Sequence, residues 1–259
     1  MRRNPAQRER VGSPTLLNSS ALPCPPDLDA YACVRQVASF AELVGTPFGD
    51  GVNALCWTRR LTGDFDEIVR LIAEAVGDEI TTLTEDDLRD LDLSPAGRAA
   101  RDILIEDQRL LRAAGLDPIL DCIPAYPREA EPGPVPTDVY SWHADSANAL
   151  ADTFLCSYNE ASSEGLRNEE AVGCVDVPEV RAELLKLYGG ADDAGFRQFL
   201  SERFYDLHYA ERAGARPYSF GLGNLWRITT QCPGSPVPPC IHRAPTTRPG
   251  QAPRLLLIS

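Results

Sequence analysis

The stretch Tyr140-Ser-Trp-His143-Ala-Asp145 decides how the rest of this chain is interpreted. A His and an Asp two positions apart on a strand project from the same face, with Cα atoms roughly 6.5–7 Å apart. That spacing suits the chelation of one small cation. Much later in the chain comes a second histidine, in Ile-His242-Arg-Ala-Pro, on another expected strand. The chain has three histidines, and this interpretation uses two of them.

Two imidazoles and one carboxylate that leave half of the coordination sphere open form the facial triad of non-haem Fe(II) oxygenases. We therefore predict His143, Asp145 and His242 as metal ligands. Arg254 follows on what we expect to be the next strand, before the apolar run Leu255-Leu-Leu-Ile. An exposed arginine on a terminal strand is the alternative, but the apolar run favours a buried position, where a guanidinium binds a carboxylate through two parallel hydrogen bonds.

Composition limits the function classes. The chain has 259 residues, of which 43% are apolar, and a net charge of -13. This charge argues against a nucleic-acid partner, which needs a basic surface. No apolar run reaches the length of a membrane span, and no apolar segment follows the basic N-terminus as in a secretory signal. We expect a cytoplasmic protein with mostly buried, reduced cysteines, although Cys232 and Cys240 are close enough in sequence for a disulfide.

Three regions follow one another along the chain. We interpret residues 1–26 as a flexible arm and residues 27–259 as one domain, helical over 27–117 and rich in strands over 118–259. Apolar residues at helical spacing predict short helices over 27–44. Helix starts are expected at Asp64, Thr84 and Ser94-Pro95. In the second half we expect strands over 118–126, 137–145, 153–158, 172–177, 225–229, 240–244 and 253–258, interrupted by a helix over 178–188 and a longer one from 192 through His208.

At this point the sequence resembles the Fe(II)/2-oxoglutarate-dependent oxygenase superfamily. The resemblance covers roughly residues 118–259 and rests on His143-Ala-Asp145, the strand Thr153–Tyr158, the turn Gly223-Asn224 before Leu-Trp226-Arg, the stretch His242-Arg-Ala-Pro, and Arg254. More narrowly, Trp57-Thr-Arg and these motifs look like an uncharacterised bacterial group, the DUF1826 proteins. That group often has Tyr-x-Gly-x-Gly-Thr after the second strand, where this chain has Tyr158-Asn-Glu-Ala-Ser-Ser.

The resemblance implies an α+β fold whose core is a double-stranded β-helix, of the jelly-roll or cupin-like kind, covered by N-terminal helices and carrying a helical insert. It implies Fe(II) on the three predicted ligands, 2-oxoglutarate chelating the iron with its far carboxylate on Arg254, and O₂ as the oxidant. Thr153 or Tyr158 is the expected second partner of the cosubstrate. The expected reaction oxidises an unactivated C–H bond, by hydroxylation, desaturation or cyclisation.

The substrate is expected to be a small, amino-acid-like molecule of bacterial secondary metabolism, because no feature of the chain recruits a polymer. Candidate substrate residues are Tyr140, Trp142, Asn148, Arg167 and Trp226, although packing explains each aromatic equally well. His208 is interpreted as a core or surface histidine. Two alternatives remain open: a cupin-like metalloenzyme that does not use 2-oxoglutarate, and a metal-binding protein without turnover. The sequence leaves the oligomeric state open.

Overall fold

The described residues of the first half of the chain contain four capped helices. In the computed structural model, which describes residues 27–77, 79–128, 133–248 and 250–259, the Asp64 side chain accepts a hydrogen bond from the backbone N–H of Glu67. Thr84 closes a capping box with Asp87, and Ser94 caps a helix with Pro95 in its first turn. The helices are α1 (Phe40–Gly45), α2 (Phe65–Val76), α3 (Glu85–Asp90) and α4 (Pro95–Ala113). The helix starts expected from the capping signals are confirmed.

The described residues contain thirteen strands, which form two sheets. They are β1 (Val34–Val37), β2 (Ala54–Trp57), β3 (Thr81–Thr82), β4 (Ile119–Ile123), β5 (Trp142–His143), β6 (Asp152–Ser157), β7 (Glu164–Leu166), β8 (Ala171–Gly173), β9 (His208–Glu211), β10 (Tyr218–Ser219), β11 (Leu225–Thr229), β12 (Ile241–Arg243) and β13 (Arg254–Ile258). The large sheet has the order β1-β2-β11-β6-β13-β4-β3, and the small sheet has the order β10-β7-β12-β5-β9-β8. The chain is therefore a mixed α+β protein with two sheets.

The large sheet is covered on both faces, so its strands are apolar on both sides. Phe154, Leu255 and Leu257 pack in one cluster with residues of α2 and α4. Leu155 and Leu256 alternate with them and pack in a second cluster, together with residues near and within the small sheet. Because side chains alternate between faces along a strand, the even-numbered residues of β13 and the odd-numbered residues of β6 face the small sheet.

A helical insert separates β8 from β9. It consists of α5 (Pro178–Tyr188) and α6 (Ala194–Glu202), which share a small core of their own. Pro178 opens α5, and Asp193 caps α6 by accepting hydrogen bonds from the backbone of Gly195 and Phe196. This insert returns the chain to the small sheet next to β5.

Several expected boundaries are wrong. Residues 34–37 were expected to be helical but form β1, which pairs in parallel with β2. The helix expected through His208 ends at Glu202, and His208 begins β9. The strand expected over 137–145 is reduced to Trp142–His143, so Asp145 lies just beyond its end. Cys232 and Cys240 are both free. The arm over residues 1–26 lies outside the described residues.

Candidate metal centre

Two strands of the small sheet bring the predicted metal ligands together. His143 ends β5 and is directly paired with His242 on β12, and their ring centroids lie 4.5 Å apart. Asp145 follows two residues later, with its Oδ2 3.7 Å from His242 Nε2. One ligand atom from each of the three residues lies within 4.8 Å of the others. The triad predicted from sequence therefore exists at metal-binding distance and is compatible with a metal ion.

Neighbouring groups orient all three ligands. The Nδ1 atoms of His143 and His242 lie 2.8 Å and 3.3 Å from the carbonyl oxygens of Ser141 and Cys240. Because a carbonyl only accepts, each Nδ1 carries the proton, and each Nε2 keeps its lone pair for a metal. The Thr153 hydroxyl donates to Asp145 Oδ2 at 2.6 Å. Such supporting partners are typical of metal sites.

The electrostatics of the pocket favour the protonation states that bind a cation. Burial lowers the pKa of His143 to about 4, and the neighbouring His242 adds to this effect. Burial by itself would raise the pKa of Asp145, but His242 and the Thr153 hydrogen bond outweigh it, so the pKa is lowered. At neutral pH His143 is therefore neutral and Asp145 ionised, as metal coordination requires.

Arg254 lies on the inner face of the large sheet with most of its donors unused. It is the first residue of β13 and shares a face with Leu256, which packs between the sheets. The side chain is 6% exposed, and its Nε and Nη1 are buried and have no hydrogen-bond partner among the residues that the structure describes. Burial lowers the pKa of this guanidinium, and its hydrogen bond to Tyr126 partly offsets the effect. Unpaired donors of a buried charge are costly, so they indicate a missing anionic partner.

Tyr126 is a site residue that the sequence interpretation missed. Its hydroxyl accepts a hydrogen bond from Arg254 Nη2 at 3.1 Å, and the guanidinium lies 5.7 Å from its ring centroid. Tyr140 supports Tyr126. The Tyr140 hydroxyl accepts a hydrogen bond from the Tyr126 backbone N–H at 2.9 Å, and the two rings lie edge-on with their centroids 6.0 Å apart. The predicted substrate residue Tyr140 therefore supports the tyrosine that contacts Arg254.

The two expected cosubstrate residues do different things. Thr153 faces the cavity, but its hydroxyl proton goes to Asp145. Tyr158 lies opposite Leu255 on the helix-facing side, where its hydroxyl donates to Asp107 Oδ2 at 2.7 Å. Asp107 also forms a buried ion pair with Arg59 at 2.6 Å. The structure thus does not bring Tyr158 to Arg254.

Three further candidate residues point away from the triad or are already engaged. Trp142 alternates with His143 on β5, and its Nε1 donates to Glu211 at 2.7 Å. Trp226 is 1% exposed in the core between the sheets, where it stacks on Phe220 at 4.3 Å. Arg167 forms ion pairs with Glu169 and Glu170. Packing or local ion pairing accounts for each of these side chains.

The last candidate, Asn148, lines a cleft of about 630 Å³, whose described lining includes Ser146 but none of the three triad residues. Ser146 and Gln231 form a β-bridge at one wall of the cleft. Beside it, the Gln231 backbone N–H donates a hydrogen bond to the Asp145 carbonyl at 2.7 Å. The full lining is Ser146, Ala147, Asn148, Ser201, Phe204, Asp206, Leu207, Gln231, Cys232 and Pro233. This size falls within the range of small-molecule sites.

The third histidine lies beside the triad. His208 on β9 is paired directly with His143 and is 6% exposed, with its ring centroid 5.9 Å from that of His143. Sequence reasoning placed it on a helix, because the turn at Phe204 that ends the helical segment has no glycine to mark it. Its partner β5 is distant in sequence.

The residues present fit a divalent metal and a dicarboxylate. Two imidazoles and a carboxylate suit Fe(II) or another first-row metal, and the free donors of Arg254 suit a carboxylate. Among the described helices, none has the length and apolar composition needed to cross a membrane. Comparison of the chain with protein-family models, with curated proteins and with solved structures returned no match.

Proposed function

We propose that this protein is a non-haem Fe(II)/2-oxoglutarate-dependent oxygenase. The observation that carries the proposal is the combination of the His143–Asp145–His242 triad with Arg254, whose buried Nε and Nη1 have no partner in the described part of the chain. A metal-binding protein needs only the triad. A buried guanidinium on the inner face of the large sheet, with two donors that have no partner among the described residues, is explained when a carboxylate binds there.

The strand pairing supports a double-stranded β-helix as the core. Eight strands of the second half pair as a nested set: β4 with β13, β5 with β12, β6 with β11, and β7 with β10, all antiparallel. The first strand thus pairs with the last, the second with the seventh, and so on inward. A long hairpin that rolls up in this way makes a jelly roll. The superfamily resembled by the sequence has this core.

The protein residues would have three tasks. His143, Asp145 and His242 hold the metal, and Thr153 keeps Asp145 oriented. Arg254, with Tyr126 beside it, binds the far carboxylate of 2-oxoglutarate and so fixes its keto-acid end at the metal. Bound Fe(II) with 2-oxoglutarate would supply the activation of O₂ that oxidises an unactivated C–H bond. The protein contributes position and exclusion of water.

The cleft beside Asp145 supports a small-molecule substrate, since its volume of about 630 Å³ matches ligand sites and not a polymer groove. A cytoplasmic role in bacterial secondary metabolism remains part of the proposal. A cupin-like enzyme without 2-oxoglutarate and a metal-binding protein without turnover are the rivals. Neither gives a reason for the unpartnered donors of Arg254.

The proposal is tested by the conversion of 2-oxoglutarate to succinate in air. The purified protein, loaded with Fe(II) and ascorbate, is expected to form succinate slowly without substrate and faster with a substrate from an amino-acid and amine panel. His242→Ala should abolish the reaction because it removes a ligand. Arg243→Met, next to it on β12 but paired with Glu164, is the matched control and should retain it. An iron-loaded, folded protein that makes no succinate above the His242→Ala background refutes the proposal.

A further inference from the structure

All three histidines of the chain lie in one row across the small sheet. His242, His143 and His208 are directly paired on β12, β5 and β9. Directly paired residues project from the same face, and the ring distances of 4.5 Å and 5.9 Å agree with this. His208 is thus an inward-facing neighbour of the metal ligands that the proposed metal chemistry does not use.

His208 is fixed in the same tautomer as the metal ligands. Its Nδ1 lies 2.7 Å from the carbonyl oxygen of Phe204, so Nδ1 carries the proton and Nε2 keeps a lone pair. Phe204 adopts the left-handed region with φ 58°, which is uncommon for a bulky residue. A strained turn therefore directs this carbonyl at the imidazole, and in the described part of the chain no hydrogen bond reaches Nε2.

His208 is not a fourth metal ligand in this arrangement. The group of atoms within 4.8 Å contains His143, Asp145 and His242 and leaves His208 out. Because the Phe204 carbonyl holds Nδ1, turning the ring toward the triad would break a hydrogen bond in a buried place. Nε2 is left as an acceptor without a partner among the described residues, and a bound molecule with an N–H or O–H group can satisfy it.

The adjoining cleft indicates which kind of hydrogen-bond donor Nε2 of His208 would bind. Phe204, Asp206 and Leu207 line the cleft and lead directly into His208, while Ser146 to Asn148 line it on the side of Asp145. Asp206 is the one charged side chain among the described lining residues, and it is exposed at the cleft. A carboxylate substrate would meet no cation there. An ammonium group in the cleft would meet Asp206, which precedes His208 by two residues in the chain.

We infer that His208 and Asp206 form a subsite for an amine, in which Nε2 of His208 accepts a hydrogen bond from the ammonium group of the substrate. This inference rests on the proposed function for the identity of the reaction, since it assigns the substrate class of that same site. His208 is then a substrate-positioning residue beside the metal, and the strained turn at Phe204 sets its orientation.

Nitrogen-resolved NMR of the histidine rings tests the inference. Because the chain has three histidines, protein labelled with nitrogen-15 histidine gives three ring systems, which are assigned with His143→Asn, His208→Asn and His242→Asn. Zn(II) with 2-oxoglutarate serves as a diamagnetic substitute for the iron complex. n-Butylamine, n-butanol and butyrate are then titrated as probes of matched size, with and without Zn(II) and 2-oxoglutarate.

Zn(II) is expected to shift Nε2 of His143 and His242 and to leave His208 unchanged. n-Butylamine should shift Nε2 of His208, with butanol weaker and butyrate without effect. Asp206→Asn should weaken butylamine binding about tenfold, since a charge-assisted contact is lost. Asp102→Asn, on the surface of α4 outside the cleft, is the control and should leave butylamine binding unchanged.

Each failure has a separate meaning. If butylamine leaves Nε2 of His208 unchanged in both states, or if butyrate shifts it instead, the amine subsite is refuted. If Zn(II) shifts His208, the ring is a metal ligand and the inference is overturned. If Zn(II) shifts neither His143 nor His242 while butylamine still shifts His208, the proposed oxygenase fails and the amine subsite stands.

Discussion

Replacement of Arg254 by Met separates binding from stability. Methionine fills similar space without charge or donors. In the present structure Nε and Nη1 of Arg254 are buried and unpartnered, so a bound carboxylate would gain two charge-assisted hydrogen bonds. At about 1.5–3 kcal/mol each, their loss amounts to about 3–6 kcal/mol. We expect 2-oxoglutarate to bind the Arg254→Met protein about 10²–10⁴-fold more weakly.

The same substitution should not destabilise the ligand-free protein. Arg254 is 6% exposed, and among the described residues its guanidinium donates one hydrogen bond to a side chain, to Tyr126 at 3.1 Å. A buried, incompletely paired charge opposes folding, and its replacement by an apolar residue of similar volume is neutral to about 4 kcal/mol stabilising. The expected signature is therefore weaker binding together with unchanged or higher stability.

Two assays measure these effects. Isothermal titration of 2-oxoglutarate into Zn(II)-loaded protein gives the affinity, and urea denaturation of the metal-free protein gives the free energy of unfolding. Arg243→Met serves as the control, because Arg243 pairs with Glu164 and lies over the outward-facing Trp142. An unchanged affinity in Arg254→Met would refute the assignment of the carboxylate site. A large loss of stability would show that the arginine has a structural partner.

Four further predictions follow from the contacts around the site. Thr153→Val removes the hydrogen bond to Asp145; it should raise the pKa of that carboxyl and weaken Zn(II) binding by roughly 10–100-fold, as measured by competition with a chelator. Tyr158→Phe removes the hydrogen bond to Asp107; it should cost about 1 kcal/mol of unfolding free energy and leave 2-oxoglutarate affinity unchanged. Asp107→Asn breaks the buried pair with Arg59 and should cost about 3–5 kcal/mol in urea denaturation. Finally, because burial lowers the pKa of His143 to about 4 from the usual value near 6.5, the metal-free protein should lose about 3 kcal/mol of stability as pH falls between these values.

The contradicting results differ among these four. Unchanged metal affinity in Thr153→Val would mean that Asp145 is oriented without the hydroxyl. A loss of 2-oxoglutarate affinity in Tyr158→Phe would show that the Tyr158 hydroxyl contributes to cosubstrate binding. Full stability of Asp107→Asn would mean that the pair with Arg59 is replaced by other contacts. Acid unfolding that is identical in wild type and His143→Gln would show that the imidazole is not buried neutral.

Local sequence signals predicted the helical half well. Asp64, Thr84 and Ser94-Pro95 mark helix starts through contacts within one turn, so the flanking residues contain the information. The strand Val34–Val37 was missed because its apolar residues also fit helical spacing. Its parallel partner Ala54–Trp57 decides its conformation, and that pairing is not local.

The triad of His143, Asp145 and His242 was predictable because residue type and spacing are both specific. The side chain beside Arg254, which is the proposed cosubstrate partner, was not. Thr153 and Tyr158 are an odd number of positions apart on the expected strand 153–158, so they face opposite sides of the sheet, and this parity was available in the sequence. Tyr126, by contrast, contacts Arg254 because β4 pairs with β13. The residues around Tyr126 contain no local sequence signal for that pairing.

The row of three histidines across the small sheet was equally unpredictable from the sequence. His208 follows a segment with helical character, and only the left-handed turn at Phe204 ends the helix before it. Without a glycine or proline at that point, pattern reasoning extends the helix. The position of His208 next to His143 depends on the return of the helical insert to β5.

The central claim is that one cavity binds Fe(II) and 2-oxoglutarate together, through the triad and Arg254. The most direct measurement is an anaerobic visible spectrum of the iron-loaded protein during titration with 2-oxoglutarate. The account predicts a weak metal-to-ligand charge-transfer band that saturates in wild type and in Arg243→Met, and that is absent at the same concentrations in Arg254→Ala and His242→Ala. A folded, iron-loaded wild-type protein that develops no band, or a band that persists unchanged in Arg254→Ala, would contradict it.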